Sequence, residues 1–266
     1  MADKIDRKLL RYQLCVLLPI HLGFLAALAY FIINPAFLLT GLGLIFLSYV
    51  LLGGVGLEVG YHRMISHRAF ECRWKWLERV VATLGFYSGQ GSPFFWTALH
   101  NGNHHSKTET ELDFYSPVNG GIIHVIYSWM LKYDANKVMY SAGVRVLKDP
   151  YYKFLHERGD FLYAATAIAL LLIDWKLAVF SLLAPGFIMH YLIVGLGLNW
   201  FGHKKTLGSY RRYETNDNTY NNWFWALVCF GDYHNNHHAK PHQWYCGEKW
   251  WEPDPGKWVI QLIRKK

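Results

Sequence analysis

Long apolar runs constrain this chain more than any other feature. Leu14 to Ile33 is almost unbroken, and Ala36 to Leu57 follows directly behind Asn34-Pro35. About 20 apolar residues in a helix cross roughly 30 Å of hydrocarbon, so each run is long enough to span a bilayer. The short link between them leaves room only for a helical hairpin. Phe161 to Ile173 and Leu177 to Leu198 make a second pair, with Asp174-Trp175-Lys176 at the bend and Pro185-Gly186 interrupting the last run. In lipid the backbone must satisfy its own polar groups, which for runs like these means helices. The expected fold is an all-α integral membrane protein with four transmembrane helices as two hairpins, at about 14–33, 36–57, 160–173 and 177–198. A cytosolic helical cap takes the rest, about 61–159 and 199–266, and 1–266 reads as a single domain. The run at 160–173 is shorter than a full span.

Charge sets the orientation. The net charge is +8, and basic residues gather at Lys4, Arg7, Lys8 and Arg11, again at Lys204, Lys205, Arg211 and Arg212, and finally at Arg264, Lys265 and Lys266. The hairpin tips carry almost none. The positive-inside rule then puts both termini and the cap on the cytoplasmic side. Apolar spans argue against nucleic acid as the partner of this basic balance, and leave membrane lipid or an anionic head group. The first run lacks a signal-peptide cleavage pattern and reads as a retained anchor. Twelve tryptophans suit the membrane interface. Lys75 to Phe86 alternates charged and apolar residues at helical spacing, as in an interfacial amphipathic helix. Cys15, Cys72, Cys229 and Cys246 are scattered with no CxxC pair, which argues against disulfides or a thiolate metal site.

The chemistry lies in histidine. Of fourteen in the chain, nine fall into four clusters: His62 and His67; His100, His104 and His105; His203, with Asn199 four residues before it; and His234, His237 and His238. Imidazole is the commonest ligand for redox-capable transition metals, and one ion cannot use nine. On a regular helix His100 and His104, Asn199 and His203, and His234 and His238 share a face. The adjacent pairs His104–His105 and His237–His238 point about 100° apart and can serve different ions. His62 and His67, five apart, share no face on such a helix; either the helix ends between them or each binds a different ion. Asn199 either reaches a metal through water or pairs within the bundle. His21, His156, His190 and His242 are expected to be structural, as is His124 unless it supports a ligand. Structural zinc would use only four ligands. No carboxylate base lies inside the clusters, although Asp113 follows the second and Asp232 precedes the last. Two irons with oxygen chemistry fit best, and the residues alone leave other metals open.

The order of these clusters resembles that of the membrane-bound fatty acyl desaturases, in particular the Δ9 acyl-CoA or acyl-lipid branch. GYHRMISHRAF is similar to that family's first histidine box, GSPFFW followed by HNGNHH to its second, and NWFGH to its Asn-x-x-x-His element. RRYETNDNTYNNW and GDYHNNHHAKPH match the approach to the third box, and WWEPDPGKWVIQLI the tail. The chain departs from that pattern in four ways. Three residues lie between His100 and His104 instead of two, Phe95 and Asp232 stand where an acidic residue and a glutamate are usual, and the acidic run Thr108–Asp113 is longer.

The resemblance implies a four-span, mushroom-like fold with two iron ions (a di-iron centre) held by the nine histidines, and Asn199 reaching one through water. It implies a narrow acyl tunnel and an oxygen-dependent insertion of a cis double bond into a saturated acyl chain at Δ9. The substrate would be an acyl-CoA, acyl-lipid or acyl-ACP. Two electrons would come from a separate donor such as ferredoxin or cytochrome b5, since the chain has neither a His-Pro-Gly-Gly haem signature nor a cysteine cluster. A fatty acyl hydroxylase or acetylenase could use the same site. Arg63, Arg68, Lys107, Arg211 and Arg212 are candidates for an anionic head group. A membrane transporter would need polar residues inside the spans, where Glu58 is the exception, and a zinc hydrolase would need neither oxygen nor electrons.

Overall fold

The computed structural model describes residues 2–128 and 134–265, without the side chains of 2–6 and 128. Lys266 and the side chain of Lys4 therefore lie outside the described part. Among the described residues three helices are long and apolar enough to cross a membrane: α1 (Arg7–Ile33), α2 (Pro35–Ser66) and α6 (Trp175–Phe201). Between them come α3 (Lys75–Tyr87), α4 (Pro93–Thr97, continued as a π-helix over Ala98–His105) and α5 (Pro150–Ile173). After α6 follow α7 (Trp223–Val228), α8 (His234–Ala239) and α9 (Pro255–Ile263). Among the described residues β pairing is limited to a two-residue antiparallel ladder, with Ser209 opposite Asn222 and Tyr210 opposite Asn221, and an isolated bridge between Cys72 and Arg264.

Each of the expected hairpins is present. In α1, Val16, Ile20, Gly23 and Ala27 are buried at helical spacing, while Leu14, Leu18, Leu22 and Leu25 point outward. An apolar outer face is what lipid requires. Asn34 ends the helix in a non-helical conformation and Pro35 starts the next. The second hairpin turns at Asp174, whose carboxylate accepts from the Lys176 N–H at the start of α6. Pro185 does not break α6: the preceding Val179–Leu183 turn is π-helical and absorbs the missing hydrogen bond. Helix α5 starts earlier than the apolar run alone indicates. Its first half carries Lys153, Glu157, Arg158 and Asp160, which keeps it out of the set of three, while its second half exposes Ile168, Leu172 and Ile173. Asp160 pairs with Arg11 of α1 at 2.8 Å. The cap is less helical than expected: between Ser106 and Asp149 the described backbone is turns and short helical pieces.

Helix α3 lies against α2 at two glycines. A Cβ on Gly56 would fall 2.3 Å from the Gly85 nitrogen, and one on Gly85 would fall 2.6 Å from the Gly56 oxygen. Both near neighbours are backbone, so neither can yield by a rotamer change. Gly56→Ala is expected to force the helices apart at a cost of about 1–3 kcal/mol, read as a lower unfolding midpoint of the detergent-solubilised protein. This contact places the amphipathic helix, whose Val81, Ala82 and Phe86 are buried while Trp74 and Trp76 beside its start are exposed.

Candidate metal centre

The wide turns of α2 and α4 decide which histidines meet. Residues Tyr49–Ser66 are π-helical, and the His67 N–H donates to the His62 carbonyl at 3.1 Å. Likewise the Ser106 N–H donates to Asn101 at 3.3 Å. Hydrogen bonds from i to i+5 put residues five apart on one face. His62 and His67 therefore share a face, and so do His100 and His105. This corrects the reading from regular helical spacing, which separated the first pair and joined His100 to His104.

All nine cluster histidines converge, in two groups. His62, His67, His100, His105 and His237 form one, and His104, His203, His234 and His238 the other; within each, the candidate ligand atoms lie within 4.8 Å of one another. The adjacent pairs split between the groups as their spacing requires. In the first group Nε2 of His62 lies 2.9 Å from that of His237, His237 2.9 Å from His105, His105 3.1 Å from His100, and His100 2.8 Å from His67. In the second, His234 lies 2.9 Å from His203, His238 3.1 Å from His104, and His203 3.4 Å from His104. Nitrogens bound about 2.1 Å from a shared ion sit about 3.0–3.4 Å apart in octahedral or tetrahedral geometry. Converging imidazole nitrogens repel unless a cation lies between them, so this donor set fits a metal in each group. Burial, then crowding by neighbouring imidazoles, holds His67, His100, His105, His203, His237 and His238 well below the ordinary histidine range, which keeps them neutral as ligands must be.

Carboxylates stand behind the imidazoles. Nδ1 of His62 lies 2.7 Å from Glu58, that of His104 3.2 Å from Asp113, and that of His238 2.9 Å from Asp217. Nδ1 of His234 is 3.4 Å from Asp232 and Nδ1 of His203 is 3.7 Å from Glu109, close charges without hydrogen-bond alignment. A carboxylate at Nδ1 puts the proton there and leaves the Nε2 lone pair for a metal. Glu109 and Asp217 escaped the sequence reading; the long acidic run after the second box was the signal for Glu109, and nothing local signals Asp217. The exposed His242 hydrogen-bonds the His67 carbonyl at 2.8 Å. His124 instead bonds the Phe114 carbonyl.

A cavity opens beside both groups. Its walls include Phe95, Trp96, Leu99, Val194 and Leu198, and His62, His100, His104 and His234 reach it. Asn199 is buried in the same wall, and its amide nitrogen has no hydrogen-bond partner among the described residues. A second cavity shares Tyr12 and Phe95 with the first and is lined by Lys8, Ser92 and His156.

The head-group candidates divide. Arg63 is corrected: it is 1% exposed and bonded to Glu58 and Asp254, so it cannot meet a ligand. Arg211 is tied to Thr215 and the Asp217 carbonyl, and Arg212 to Glu252. Arg68 and Lys107 are exposed.

Two neighbouring imidazole groups able to hold metal, beside an apolar cavity on a chain with membrane-length helices, fit an oxidoreductase of the histidine-box type. The comparisons agree: the fatty acid desaturase family profile matches residues 35–252. The chain belongs to the fatty acid desaturase family. Among its curated relatives, the sn-2 palmitoyl-lipid 9-desaturase of Nostoc sp. (strain 36) is 32% identical over 85% of this chain and 79% of its own length. The acyl-CoA C20 Delta5-desaturase of Anemone leveillei is 32% identical over 82% of this chain and 69% of its own. The sn-1 stearoyl-lipid 9-desaturase of Anabaena variabilis is 29% identical over 93% and 88%.

Proposed function

We propose that this desaturase inserts a cis double bond at Δ9 of a saturated acyl chain, using oxygen and a pair of irons. The observation that carries the reading is the convergence of nine imidazoles in two groups beside an apolar cavity. When bound, the irons would supply the oxygen chemistry that removes two hydrogen atoms from neighbouring methylenes. The protein's part is to hold the chain and keep water away. An alkyl chain offers no polar handle, so shape must select the carbons. Phe95, Trp96, Leu99, Val194 and Leu198 are the walls available for that, and Asn199, in the same lining, would hold a water toward the four-histidine group. The second cavity gives the carbonyl end of the substrate a polar mouth at Lys8 and Ser92. The acyl carrier is a lipid or CoA, as the relatives' names indicate for those proteins. Electrons come from a separate donor such as ferredoxin or cytochrome b5.

In this reading 1–266 is a single membrane domain whose second half of α5 completes a set of four spans, and both termini and the metal centre face the cytoplasm. The test is a fatty-acid profile from a host with a compatible donor, with double bonds located by mass spectrometry. A new Δ9 monoene, absent with His237→Ala, is expected. A monoene at another carbon would keep the desaturase and overturn Δ9. An alcohol or alkyne in its place would move the outcome to a hydroxylase or acetylenase.

A further inference from the structure

We infer that the two metal positions are unequal, and that a shell of carboxylates makes the four-histidine position the tighter for a divalent cation. The inference rests on the two-metal reading above. Every imidazole of that group has a carboxylate on its outer nitrogen: Asp113 for His104, Glu109 for His203, Asp232 for His234 and Asp217 for His238, at 2.9–3.7 Å. Among the described residues none of these four carboxylate groups lies within 4.0 Å of a lysine or arginine nitrogen; Arg211 reaches only the backbone carbonyl of Asp217. Their other close partners are neutral: Asn218 for Glu109, the hydroxyls of Thr215 and Thr219 for Asp217, and the Glu109 N–H for Asp113.

The five-histidine group is built differently. His62 alone has close acid partners, Glu58 at 2.7 Å and Asp232 at 4.0 Å. The other oxygen of Glu58 is taken by the Arg63 guanidinium at 2.8 Å, which offsets its charge. Among the described residues, His67, His100, His105 and His237 have no carboxylate within 4.0 Å of their ring nitrogens.

The consequence follows from burial. Asp113 and Asp232 are 0% and 4% exposed, and buried charge without a counter-ion is costly. A dication among the four histidines relieves that cost. A dication among the five brings two positive charges into a pocket with little fixed negative charge. The fifth imidazole adds one neutral donor, whereas each supporting partner is worth about 10–100-fold in metal affinity, and two of the four acids are hydrogen-bonded to their ligands. The carboxylates therefore outweigh the extra ligand.

The probe is Co(II) alone, titrated into metal-free, detergent-solubilised protein without oxygen and followed by visible absorption and bound-metal analysis. Two steps are expected, with the tight one absent in His238→Ala and the weak one absent in His105→Ala. Asp217→Asn should weaken the tight step about 10–100-fold and leave the weak step in place. Glu109→Gln, at a partly exposed position, should act in the same direction if the first variant folds poorly. Binding of only one Co(II) by the unmodified protein would overturn the two-metal reading itself. Two equal steps, loss of the tight step in His105→Ala, or an equal shift of both steps in Asp217→Asn would leave that reading standing and overturn this inference.

Discussion

Arg63→Met is expected to destabilise the protein by about 3–5 kcal/mol, the usual result of removing one partner from a buried ion pair. The guanidinium donates to Glu58 at 2.8 Å and to Asp254 at 3.0 Å, and also to the carbonyls of Gly231 and Trp244. Methionine approximates the stem but leaves two carboxylates and two carbonyls without that donor. The effect reaches further than stability. Glu58 orients His62 with its second oxygen, while Asp254 also accepts from the backbone of Cys246, Gly247 and Lys257. Chemical or thermal unfolding in detergent reads the change. An unchanged midpoint would mean that the chain tail is held to α2 by something other than this residue.

His237→Ala is expected to reduce activity below about one per cent of the parent and remove one equivalent of metal. The loss should exceed the 10–100-fold typical of a supporting partner, because His237 faces both His62 and His105 at 2.9 Å. Metal analysis beside the product assay separates ligand loss from misfolding, since the four-histidine group does not include this residue. His242→Ala is the comparison. That ring bonds the His67 carbonyl and belongs to neither imidazole group, so its loss belongs to the smaller class. Full activity in His237→Ala would remove it from the ligand set.

What the sequence disclosed follows from what is local. Both hairpins were legible because apolar runs, three of them of membrane length, and the breaks at Asn34-Pro35 and Asp174 are contiguous signals. The nine histidines were legible because they cluster along the chain. Their division into groups was not, because a 3.6-residue period hides π-turns. The five-residue spacing of His62 and His67 was the visible trace of one. The carboxylate shell was only partly legible: Asp113 and Asp232 flank the boxes, whereas Asp217 reaches His238 from a loop 21 residues away. Arg63 read as a surface cation beside a histidine box because its partner, Asp254, is 191 residues further on. The cap was expected to be helical, but Ser116-Pro117 and Asn119-Gly120-Gly121 are turn formers.

The same 191-residue separation sets a timetable for biosynthesis. At roughly 5–20 residues per second a ribosome needs about 10–40 s to travel from Arg63 to Asp254. Through that interval the nascent second helix carries a cation whose tail partner has not been made, and His62 lacks His237 across from it. The candidate metal pocket is thus completed only after Asp254 is made, and until then Arg63 has Glu58 as its sole carboxylate partner.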